Sequence, residues 1–69
     1  MKVGDWVIAI GNIYNKEMLG RISNIEQEDW EGLLRHKVDF TISGGTPGIW
    51  AEIVRKATPQ EIVTAKLKR

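Results

Sequence analysis

The chain holds one histidine, and that residue together with scattered carboxylates is all it offers for acid–base chemistry. His36 falls in step with Leu34, Val38 and Phe40 on the apolar side of an alternating segment, where a partly buried core histidine is a simpler reading than a general base. Ser23 and Ser43 stand in polar surroundings with no second histidine to activate them, Asp5 suits a turn, and no glycine-rich phosphate loop precedes a helix. Cysteine is absent, which removes thiolate nucleophiles, disulfides and the commonest soft metal ligand together. The residues therefore point away from an enzyme, a cofactor or a metal centre and toward recognition. Two sets of side chains suit that work. Tyr14, Trp30 and Trp6, with the carboxylates Glu28 and Asp29, have the character of a peptide-binding surface. Arg21, Arg35, Lys37, Arg55 and Lys56 would serve a phosphate backbone if one face gathered them.

Strands must position these groups. Trp6–Ile10 is apolar on both sides, with Val7 and Ala9 on one face and Trp6, Ile8 and Ile10 on the other, so it needs cover twice: from a barrel interior and from an outer element. Gly11-Asn12 ends it, and residues 13–18 read as a loop before a second strand near Leu19. Gly20 within that strand suggests a bulge or a close backbone approach, and the three-residue step from Ile22 to Ile25 breaks alternation as a bulge would. After an acidic turn at 26–32, Leu34, His36, Val38, Phe40 and Ile42 alternate with polar partners, the clearest strand of the chain. Ser43–Gly48 is turn chemistry. Ile49-Trp50 then predicts a short fourth strand with Trp50 facing inward, Ala51-Glu52-Ile53 one tight turn, and Val54–Ala57 a short fifth strand.

The tail is marked most sharply. Thr58-Pro59-Gln60-Glu61 has the spacing of a capping box with proline at the first helical position, and Ile62, Val63, Ala65 and Leu67 form an apolar stripe that should dock on the barrel. With 69 residues there is room for one domain: a barrel over 1–57 and a docked helix over 58–69. No apolar run approaches the roughly 20 residues of a membrane span, and a cytoplasmic location is the expectation. Net charge is only +1, with Glu26, Glu28, Asp29 and Glu31 crowded into one segment and basic residues gathered toward the end of the chain. That balance limits the counterion release on which nucleic-acid affinity depends.

The order strand, long loop, strand, acidic turn, strand, glycine-rich turn, short strand, tight turn, short strand resembles the SH3-like small barrels, among them SH3, Tudor and KOW domains. The resemblance covers residues 3–57 and rests on Gly4-Asp5-x-Val7, Gly20-x-Ile22, and Trp50 followed by a single turn and Val54-Arg55. It implies a mainly β fold, a five-stranded barrel with a short C-terminal helix, and several kinds of ligand. A proline-rich peptide would use Tyr14, Trp30, Glu28 and Asp29, although the tyrosine-rich first-loop motif of SH3 domains is missing. A Tudor-type cage needs three or four converging rings, and placing Phe40 and Trp50 inside leaves only Trp6, Tyr14 and Trp30 to supply them, too few to favour one. A KOW-like nucleic-acid contact would use the five basic residues, against the opposing charge of Asp39 and the acidic turn. The leading expectation is a non-catalytic protein-interaction or assembly module whose partner is another protein or a second copy of the chain, the face of Trp6, Ile8 and Ile10 being the patch to cover. Nucleic acid is the alternative, and a free-standing barrel of this size also suits a phage or mobile-element protein.

Overall fold

The computed structural model describes residues 2–27 and 34–67. Among them run β1 (Trp6–Gly11), β2 (Glu17–Gln27), β3 (Leu34–Asp39), a 3-10 turn (Thr41–Ser43), β4 (Ile49–Lys56) and α1 (Pro59–Leu67). The strands pair antiparallel in the order β1-β2-β3-β4, and β4 returns to β1 to close a barrel. The fold is mainly β with one C-terminal helix, an arrangement compatible with an SH3-like fold.

Strand count is the first correction. Residues 49–56 form one strand where two strands and a turn are predicted. The physical reason is a bulge: Ile8 faces Arg55 and Ala9 faces Ile53, so Val54 is the extra residue, and the strand bends without breaking its ladder to β1. The same register turns Trp50 outward, since Ile49, Ala51 and Ile53 pack toward the core and Trp50 lies opposite Lys37. The predicted inward Trp50 is therefore also corrected. In β2 the expected bulge is present, with the register to β3 shifting between Ile22 and Asn24.

Val7, Ala9, Ile22, Val38 and Phe40 are fully buried and form the core. So small a shell closes only where strands approach closely. A Cβ on Gly20 would overlap Val38 and lie 2.9 Å from the Phe40 ring, and one on Gly11 would lie 2.5 Å from Ile49 and 3.1 Å from Phe40. The entry to β1 is the expected turn: Gly4 has φ +95°, the Asp5 carboxylate accepts from the Lys2 N–H at 3.0 Å, and the Gly4 N–H reaches the Ile22 carbonyl at 2.8 Å. At the far end of β3, Asp39 accepts from both the backbone N–H and the hydroxyl of Thr41, at 2.8 and 2.7 Å, which starts the 3-10 turn. Val38 and Phe40 hold the inward positions predicted for them, whereas Leu34, at the start of the same strand, is 56% exposed because β3 there runs past the core.

The helix carries its capping box. The Thr58 hydroxyl accepts from the Glu61 N–H at 3.2 Å and the Glu61 carboxylate accepts from the Thr58 N–H at 2.9 Å. Its apolar stripe divides, however: Ile62 and Ala65 are half-buried, while Val63 and Leu67 are exposed. Ile8 lies only 8% exposed on the barrel face turned to α1, so the outer side of β1 is covered in part by the chain's own tail.

Two outcomes follow from this packing. Gly20→Ala should lower stability by about 1–3 kcal/mol, the usual cost of overfilling a packed core; a urea unfolding midpoint equal to the parent's would show that β2 and β3 do not approach as described. The second concerns acid. The Arg55 guanidinium and then the Thr58 N–H hold the Glu61 carboxyl at about 2, against an ordinary 4.5. Because the folded value is the lower one, this contribution to stability is complete above pH 4.5 and is lost as pH falls toward 2. Helical circular dichroism should decline across that window and Glu61→Gln should flatten the decline; an identical acid profile in the variant would contradict the assignment.

Candidate binding groove

β3 and β4 stay paired only from Val38↔Ile49 to His36↔Ala51 among the described residues. Beyond that point β3 continues back to Leu34 beside β2, while β4 turns to β1 and pairs Glu52 with Ile10. The divergence opens a groove of about 550 Å³ at one end of the barrel. Ile10, Gly11 and Ala51 line it between the strands, Asn12, Tyr14 and Asn15 come from the β1–β2 loop, and Leu34, Arg35 and His36 form the opposite side with Trp50 and Glu52.

Tyr14 enters the groove and also supports it. Its ring meets Phe40 edge-on at 5.9 Å, and its hydroxyl accepts from the Thr46 N–H at 2.9 Å, tying the β1–β2 loop to the glycine-rich loop. Trp50, half-buried on the outer face, has the Arg35 guanidinium 4.5 Å and the Lys37 ammonium 5.1 Å from its ring centroid. Each is within cation–π range. Trp6 is treated alike on another part of the barrel, between Arg21 at 5.8 Å and Lys66 at 5.7 Å. His36 is half-buried and lies in register with Ile25 on one side and Ala51 on the other.

The predicted peptide-type residues are thus not one cluster. Tyr14 is in the groove, Trp6 lies against α1 through Lys66, and Trp30, Glu28 and Asp29 are outside the described residues. The predicted phosphate-type residues also separate. Arg35 and Lys37 flank Trp50, Arg21 donates to the Gly4 carbonyl at 3.3 Å beside Trp6, and Arg55 is held by both Glu61 oxygens at 2.7 and 2.9 Å. Lys56 is exposed opposite Val7. Carboxylates sit among them: Asp39 is in register with Arg21, and Glu52 lines the groove near Arg35.

Trp50 is the groove residue that sequence reasoning misplaced, and no local signal could have found it, because its side follows from the register of β4 against β3. Lys37 and Arg35 alternate outward on β3, and an aromatic paired with Lys37 must share their face. Asn12 and Asn15 were read only as loop residues. No group of three or more metal-ligating side chains gathers among the described residues, and no described helix is long and apolar enough to cross a membrane.

Tyr14→Phe should cost about 1 kcal/mol, since it leaves the half-buried Thr46 N–H without its acceptor. The loss should appear both in unfolding free energy and as faster hydrogen exchange at the Thr46 amide; unchanged exchange there would mean that the hydroxyl does not hold the two loops together.

Comparison of the chain with protein-family models, with curated proteins and with solved structures gives no match.

Proposed function

We propose that this protein is a small non-catalytic protein-binding module with an SH3-like barrel, and that a partner segment lies in the groove between the β1–β2 loop and the diverging ends of β3 and β4. The observation that carries this reading is the composition of the groove. Ile10, Ala51, Tyr14 and Trp50 offer apolar and aromatic area, and Asn12, Asn15, His36 and Glu52 offer polar groups at the sides. A concave, mixed surface of this kind suits an extended peptide, which buries alternate side chains and satisfies its backbone along the walls. The partition of the basic residues supports the same choice. Arg55 is held by Glu61, and the cations near Trp6 and Trp50 are interspersed with Asp39 and Glu52, so among the described residues no continuous positive tract favours a phosphate backbone.

Nucleic acid keeps one specific observation in its favour as a second reading. Trp6 and Trp50 are each half-buried with two cations over the ring, and an aromatic beside cations is what a stacked base and its phosphate would use.

Random peptides displayed on phage and selected against the full chain should yield binders that weaken at least about tenfold on Trp50→Ala, the scale of a central aromatic contact. Glu52→Lys, a surface change, should alter which peptides are selected while circular dichroism shows the barrel intact. Selected peptides indifferent to both changes would overturn the groove as the site. Micromolar, salt-sensitive binding of a single-stranded oligonucleotide that disappears in Lys37→Glu would favour the second reading instead.

A further inference from the structure

We infer, on the basis of the groove proposed above, that its occupant is held as an added β-strand: an extended segment of another protein pairs antiparallel with the groove edge of β3, setting an apolar residue opposite Leu34 and an acidic one opposite Arg35.

Two hydrogen bonds fix which way each peptide group points. In an antiparallel ladder the N–H and C=O of one residue share a side, and successive residues alternate. The Trp50 carbonyl accepts from the Asn12 N–H at 3.0 Å, on the β1 side, so Ile49, Ala51 and Ile53 turn their backbone toward β3. The Lys37 carbonyl accepts from the Ser23 hydroxyl of β2 at 3.1 Å, so Arg35 and Lys37 turn theirs toward β2, and Val38, His36 and Leu34 turn toward β4. Both bonds therefore make Val38↔Ile49 and His36↔Ala51 the hydrogen-bonded pairs of the β3–β4 ladder. One further step would join Leu34 to Ile53. Among the described residues that pair is not made, and the Leu34 N–H and C=O face the groove with no backbone bonded to them from β4.

A donor and an acceptor placed as in a ladder are matched by another extended peptide. β3 is the edge suited to receive it. Its ladder to β2 has no extra residue on the β3 side, whereas β4 is bulged at Val54 and the Lys56 carbonyl accepts from the Arg55 guanidinium at 3.2 Å, features that blunt an edge. Leu34 is 56% exposed and lines the groove with Ile10, Tyr14 and His36, so a side chain facing in from the added strand has apolar area to cover. A side chain facing out falls opposite Arg35 and diagonal to Lys37, the two cations beside Trp50. Glu26 is paired with Arg35 from the β2 side, one strand farther off, and Glu52 lies across the groove, so the nearest charges to the added strand are positive and complement a carboxylate.

The test titrates the full, isotope-labelled chain with a capped hexapeptide alternating isoleucine and glutamate. Saturating peptide should slow hydrogen exchange at the Leu34 amide at least about tenfold, the protection expected of one ladder bond. Methylating the isoleucine nitrogens, which point to Leu34 in an antiparallel pair, should weaken binding at least about tenfold, and methylating the glutamate nitrogens should weaken it less. The same peptide with lysine in place of glutamate should bind more weakly at low salt. No protection at Leu34, equal effects of the two methylated sets, or a lysine peptide that binds as well overturns the inference. Phage-selected peptides that depend on Trp50 yet leave Leu34 exchange unchanged would overturn strand addition while the groove reading stands. Failure of the hexapeptide and of every selected peptide to perturb a groove residue would overturn both.

Discussion

The barrel depends on the packing around Phe40. Its ring is fully buried, and the strands reach it only because Gly11 and Gly20 present no side chain toward it. Tyr14 meets the ring edge-on, and Val38 and Ile22 complete the enclosure. A 69-residue chain without cysteine has few other sources of stability, so close burial of one large aromatic among β-branched residues takes the place that a disulfide or a metal holds in other small domains. From that packing follow the tight circumference, the bulges in β2 and β4 that let the sheet curve, and the divergence of β3 and β4 beyond His36↔Ala51.

The same constraint shapes the two surfaces discussed above. Where strands are pressed together, alternate side chains point outward into close company, and both described tryptophans end up there with two cations each. Where the strands part, the groove opens, and Tyr14 connects it to the core: one side of its ring packs on Phe40 while its hydroxyl ties down the Thr46 backbone. The helix is attached differently. It depends on Glu61, which caps α1 through Thr58 and binds Arg55, so one exposed carboxylate both begins the element and fastens it to the barrel.

Much of the fold was legible in the residues. Alternation from Leu34 to Ile42 located β3, although the strand ends at Asp39 and Ile42 falls in the 3-10 turn that Asp39 starts; the step from Ile22 to Ile25 located a bulge, and Thr58-Pro59-Gln60-Glu61 located the start of α1, because each of those signals is local. What depended on register was not legible. Ala51-Glu52-Ile53 has the composition of a turn, yet a single extra residue at Val54 lets the whole segment follow β1 as a strand. That slip also decided the side on which Trp50 lies, and with it the character of the groove. The division of the helix stripe, with Ile62 and Ala65 inward and Val63 and Leu67 outward, reflects how α1 is laid on the barrel, which periodicity alone does not specify.

The most direct test of the account is the nuclear Overhauser pattern of the Phe40 ring. Strong cross-peaks from its protons to the Hα protons of both Gly11 and Gly20, with those protons shifted by the ring current, are what a shell closed on this side chain requires. Absence of those cross-peaks, or rapid solvent exchange of the Ile22 and Val38 amides, would show that the chain does not close around Phe40 and would contradict the structure from which both surfaces were derived.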